Sequence, residues 1–241
     1  PDHWVADRSI ARLDEHLRHH PDKPFLIFCS FPRPHSPYDP PAEYLRLYDP
    51  REMPAPLGSE ALLADRNPKL ESVRFTHGIE TLSPAALQFI RACYYALITH
   101  QDTQVGRVLD ALSAAGVAEE TIVLFVADHG DLLGDFGSFF KGNFLDGSVR
   151  VPMIVRAPGR PGGLRPPQLV GLQDVLPTLA ALTGRPLDHE VQGADLSAAL
   201  VGDESPVRDW FYAQCIDPPQ ASAMICDGRW KYCYAQHGGI E

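Results

Sequence analysis

Ile10, Leu13 and Leu17 recur at helical spacing and predict a short amphipathic helix running into His19, His20 and the breaker Pro21. Residues 24–31 (PFLIFCSF) follow as an unbroken apolar run whose length predicts a fully buried strand. A proline-studded loop, residues 32–41, comes next, and residues 48–84 show weak periodicity and read as a long surface excursion. From Ala92 the positions Tyr95, Ile98, Val105, Val108, Leu109 and Leu112 mark a helix of several turns that closes near Gly116. Residues 121–127 (TIVLFVA) predict a strand and residues 151–155 a third apolar run. Within residues 171–184, Leu172, Val175, Leu176, Leu179 and Leu182 predict another helix, with Pro177 near its start. This alternation predicts an α/β fold with a mainly parallel sheet flanked by helices.

The last forty residues change character. Residues 222–226 and 229–234 flank Asp227-Gly228, a hairpin signal, so a smaller antiparallel region is expected here. A two-residue turn would pair Cys226 with Arg229 and Ser222 with Cys233, which sets Cys226 and Cys233 about 13 Å apart along the ladder. That exceeds disulfide reach. The five cysteines include no C-x-x-C pair and are read as free thiols.

Composition changes the picture in one respect. A formal net charge of −10 over 241 residues disfavours nucleic acid and anionic membranes as partners, since phosphate is bound mainly through Lys and Arg. An anionic substrate would have to be held by local positive groups. The longest apolar run falls far short of the roughly 20 residues a spanning helix needs.

Three places carry candidate chemistry. Asp128-His129-Gly130-Asp131 follows a predicted strand, where ligands gather in open α/β sheets, and pairs a hard oxygen with an imidazole nitrogen, both metal donors. The bland alternative makes Asp128 a cap for the next segment. Asp128, Asp131 and Asp135 do not have the spacing of a calcium-binding EF-hand loop. His35, in the loop after residues 24–31, would face Asp128 and His129 if the two strands run parallel; otherwise it is a solvated loop histidine. Lys141, set among Phe139, Phe140 and Phe144, offers a compact charge for sulfate or phosphate oxygens, or is a surface lysine with a packed stem. His16, His19 and His20 are read as solvated groups that complement a helix C-terminus.

Taken in order, these stretches resemble the sulfatase family of alkaline phosphatase-like metallohydrolases. Residues 24–48 resemble its segment in which a strand delivers a Pro-His-x-Pro histidine. Residues 94–159 join a Q-D-T-Q-V-G-R-V-L-D-A-L helix, A-D-H-G, Lys141 and S-V-R-V-P. Residues 174–193 resemble its D-x-x-P-T-L helix and Q-G loop, and residues 229–239 its R-W-K-Y strand. The resemblance implies a sulfuric ester hydrolase. Asp128 and His129 would be metal ligands, for calcium first and manganese as the alternative. His35 would contact sulfate and protonate the leaving group, and Lys141 would touch a sulfate oxygen.

It further implies that residues 1–200 belong to the catalytic α/β domain and 201–241 open a C-terminal antiparallel subdomain. The family's nucleophile is a hydrated formylglycine made within Cys/Ser-x-Pro-x-Arg, a motif these residues lack. Ser30-Phe31-Pro32-Arg33-Pro34 has its arginine one place too early. The nucleophile and further metal aspartates are therefore expected upstream, and the 241 residues alone are expected to be inactive. The substrate would be a small-molecule or glycan sulfate ester. Alternatives are a phosphonate monoester or phosphodiester hydrolase of the same superfamily, or a non-catalytic binding relative.

Overall fold

A computed structural model describes residues 1–58, 81–217 and 220–236. They fall into two compact units, one holding residues 1–58 and 81–121, the other residues 122–217 and 220–236. The expected excursion over residues 48–84 lies mostly outside the described residues. Among those described, no helix is long and apolar enough to cross a membrane.

In the first unit, α1 (Asp2–His19) packs on α3 (Pro84–Ala114), with a short α2 (Ala42–Leu45) on the same long helix. Asp2, Ala6, Ser9 and Leu13 form the buried face of α1, the three-to-four residue recurrence that makes a helix amphipathic. Helix α3 starts where the Ser83 hydroxyl accepts the Ala86 N–H and Pro84 supplies a preset φ. Just past its end lies Gly116, whose φ of 73° favours a residue without Cβ. Its start lies earlier than the apolar pattern shows, because capping rather than periodicity sets the boundary.

Residues 24–31 correct the first expectation. They enter no ladder among the described residues, and Leu26 and Phe28 are 89% and 88% exposed. The alternate positions Phe25, Ile27 and Cys29 turn inward, and the Cys29 thiol donates to the Ser9 hydroxyl of α1 at 3.2 Å. Composition resembles a two-face-buried strand, but here one face alone is covered.

In the second unit, β1 (Val123–Val126) pairs with β2 (Met153–Arg156) antiparallel, Val123 opposite Arg156 and Val126 opposite Met153. Helix α5 (Val175–Leu182) lies over one face of this pair, where Leu124, Met153 and Val155 line a small apolar cavity with Val175, Leu179 and Leu182. A short helix, α4 (Asp146–Val149), precedes β2. The expected parallel pairing is not found among the described residues, where every ladder is antiparallel. β1 takes as partner the strand that returns after about 25 residues of loop and short helix.

Asp174 and Arg208 brace this unit. Asp174 is 0% exposed and meets both guanidinium nitrogens, at 2.5 and 2.7 Å, while accepting N–H groups from Gly171 and Ala194. Burial alone would raise its carboxyl pKa. The Arg208 hydrogen bonds and the two N–H donors outweigh that, and the net shift is downward. The D-x-x-P-T-L helix and the Gln192-Gly193 loop meet here: a Cβ on Gly193 would lie 1.9 Å from the Gln173 carbonyl oxygen.

Strands β3 (Phe211–Asp217), β4 (Gln220–Cys226) and β5 (Lys231–Gln236) form an antiparallel sheet in that order. The expected hairpin at Asp227-Gly228 is present, with its register moved by two residues. Cys226 pairs with Lys231 and Met224 with Cys233. The Asp227 carboxylate accepts the N–H groups of Arg229 and Trp230, at 2.9 and 2.6 Å, and so draws both into the turn. A slip of two keeps every side chain on its expected face. All five cysteines are free.

Candidate functional site

The turn after β1 is built on Gly130. Its N–H donates to the Ser148 carbonyl at 2.7 Å, and a Cβ here would stand 2.1 Å from the Gly147 oxygen. α4 and the 128–131 turn thus touch backbone to backbone, an approach only glycine permits. This fixes the two residues before it. The His129 N–H donates to Asp128 Oδ1 at 2.9 Å, and His129 Nδ1 lies 2.9 Å from the Gly130 carbonyl. A carbonyl only accepts, so in the neutral ring Nδ1 carries the proton and Nε2 the lone pair.

His129 Nε2 lies 3.5 Å from Asp128 Oδ2. Asp128 is 86% exposed and His129 34%, so the pair opens toward solvent on one side. An imidazole nitrogen and a carboxylate oxygen at this separation can both reach one divalent ion, whose bonds are about 2.0–2.5 Å long. The residues therefore fit a metal, as two members of a larger ligand set. Among the described residues no group of three or more His, Cys, Asp or Glu side chains is arranged to hold one.

Lys141 is tied to the same turn through backbone. Asp131 Oδ1 accepts N–H groups from Leu133 and from Phe140, the residue before Lys141, at 3.0 and 2.9 Å. Leu133, Phe136 and Phe140 all have positive φ, 48°, 54° and 65°, which costs non-glycine residues about 1 kcal/mol or more each. Such strain persists where surroundings hold it, here the buried Leu132, Ser138 and Phe139. Lys141 itself is half-buried.

His35 belongs to the first unit and is exposed. Its Nδ1 lies 2.8 Å from the Ser36 carbonyl, and its N–H donates to Pro32 at 3.2 Å. Arg33 organises this loop: it donates to the carbonyls of His35, at 3.1 Å, and of Pro37, and pairs with Asp39 at 2.5 Å. The sequence placed Asp131 in the metal stretch and Arg33 in an imperfect nucleophile motif, but gave neither its bracing role; for Asp131 that role had a readable signal, since aspartate commonly accepts the N–H two residues on.

A family model for sulfatases matches residues 2–185. The chain belongs to the sulfatase family. This sulfatase chain is 37% identical to an arylsulfatase of Clostridium perfringens over its whole length, and 30% identical to a choline-sulfatase of Rhizobium meliloti over 96% of it. It covers 50% and 46% of those proteins, so it spans about half the length of the curated relatives it matches. Its structure superposes on the phosphonate monoester hydrolase of Agrobacterium radiobacter with a TM-score of 0.83 at 28% identity, over 96% of this chain and 51% of that one. The fold is thus that of alkaline phosphatase-like sulfatases.

Proposed function

We propose that the protein hydrolyses sulfate esters of small molecules or glycans, and that Asp128 and His129 are two of its metal ligands. The closeness of His129 Nε2 and Asp128 Oδ2, 3.5 Å apart, carries this reading, supported by the sulfatase relatives. Calcium is the first choice and manganese the alternative, because the imidazole is a softer ligand than calcium usually takes. Such an ion, when bound, supplies positive charge that stabilises anionic sulfuryl oxygens.

The residues of this chain have separate tasks. Asp128 and His129 hold their donor atoms in place before substrate arrives, at no reorganisation cost during reaction. Lys141 contacts a sulfate oxygen and offsets charge that grows there. His35 gives a proton to the departing alcohol oxygen; its Nδ1 contact with the Ser36 carbonyl orients the ring so that Nε2 is the transferring atom. The nucleophile is proposed to be a formylglycine from the half of the relatives that these residues do not span. Residues 1–200 are assigned to the catalytic domain and 201–241 to a C-terminal subdomain. Nucleic acid is not a proposed partner.

Likeness to the Agrobacterium hydrolase favours a second reading, a phosphonate monoester hydrolase on the same plan. The metal assignment is tested by Asp128→Ala and His129→Gln in the full-length protein. Each is expected to weaken calcium binding about tenfold or more in calorimetry while the fold is kept. Unchanged affinity in both would remove the assignment.

A further inference from the structure

The second unit carries an ion pair that joins its C-terminal sheet to the segment supporting the Asp128–His129 turn. Lys231, the first residue of β5, directs its ammonium onto Oδ1 of Asp146, the first residue of α4. The Lys231 side chain is only 24% exposed, so its stem is packed and its reach fixed. Arg150 also approaches Asp146, but at 3.8 Å and from an 83% exposed side chain. Helix α4 is a single turn with no side-chain cap, too short to hold its own orientation.

What α4 supports is the metal pair. The Ser148 carbonyl takes the Gly130 N–H, the Gly147 oxygen stands against the Gly130 α-carbon, and a Cβ on Gly147 would lie 3.1 Å from Leu132 Cδ2. The Gly130 carbonyl in turn holds the His129 ring. The contacts run unbroken from the Lys231 ammonium through Asp146, the α4 backbone and Gly130 to His129. Between α4 and Gly130 there is little slack, since a shift of α4 toward the turn meets backbone and a shift away lengthens the Gly130 hydrogen bond.

We infer that Lys231 is a positioning residue for the Asp128–His129 pair, acting through Asp146 and α4. The inference rests on the metal reading above. Ligand sets tolerate displacements of only about half an ångström, and supporting contacts commonly change metal affinity by tenfold or more. Lys231 acts from farther away through a partly exposed pair, so a smaller effect follows.

The test compares Lys231→Met, Lys231→Arg, Asp146→Asn and Asp128→Ala in the full-length protein. It reads calcium affinity by calorimetry and exchange of the Gly130 amide by hydrogen–deuterium methods. Lys231→Met and Asp146→Asn are expected to weaken calcium binding about three- to tenfold and to speed Gly130 exchange. Lys231→Arg should restore both, with melting temperatures close to wild type throughout. Wild-type calcium affinity and Gly130 exchange in Lys231→Met, beside lost binding in Asp128→Ala, would overturn the positioning role and leave the metal reading intact. Unchanged calcium binding in Asp128→Ala would overturn both.

Discussion

The carbonyl oxygen of Gly147 stands 2.1 Å from the point a Cβ on Gly130 would occupy. The obstacle is backbone, which cannot rotate away as a flexible side chain would. Gly130→Ala is therefore expected to destabilise the protein by about 3 kcal/mol, the upper end of overpacking costs. It should also weaken metal binding, since the turn that orients His129 must move. Denaturant unfolding together with calorimetry measures both effects. A stable variant with wild-type affinity would show that the turn is slack.

Lys141 follows a loop held by Asp131 in a strained path, and the proposed role gives it a sulfate oxygen to contact. Lys141→Ala in the full-length protein is expected to lower turnover about a hundredfold or more, as loss of a transition-state charge contact does. Near wild-type turnover in a folded variant would return Lys141 to the surface.

For His35→Ala the expected loss depends on the leaving group. Proton donation matters for an alkyl alcohol and hardly for nitrophenolate, so alkyl sulfates should lose about a hundredfold and nitrophenyl sulfate little. Equal losses on both would assign His35 to binding instead.

The buried Asp174–Arg208 pair predicts an acid limb of stability. The carboxyl pKa is lowered in the folded state, so its contribution is present above the unfolded value, near 4, and is lost as pH falls through the folded value. Asp174→Asn has no carboxylate to protonate and should flatten that limb in acid unfolding curves. Arg208→Met, which strands a buried charge, should cost about 3–5 kcal/mol at neutral pH. An unchanged acid limb in Asp174→Asn would place the titrating group elsewhere.

Local chemistry was readable in the sequence and distant contact was not. The helices around Leu13 and Val105 follow from spacing, and the turn at Asp227 from its residue pair. The two-residue move of the last hairpin came from Asp227, which closes the turn around Gly228 and Arg229 by donating its N–H to the Trp230 carbonyl while its side chain accepts two N–H groups. Residues 24–31 misled because apolar content reports what can be buried, not what covers it; Leu26 and Phe28 have no cover among the described residues. Gly130 against Gly147 joins residues 17 positions apart, and Lys231 against Asp146 joins residues 85 apart. Neither leaves a periodic trace along the chain.

The most direct test of sulfate ester hydrolysis is the ratio of kcat/KM for nitrophenyl sulfate and a nitrophenyl phosphonate monoester, measured on the full-length protein with calcium. The sulfate ester is expected to be turned over faster, with Asp128→Ala abolishing that rate. Faster turnover of the phosphonate, or no turnover of the sulfate by a fully folded and metal-loaded protein, would contradict the assignment.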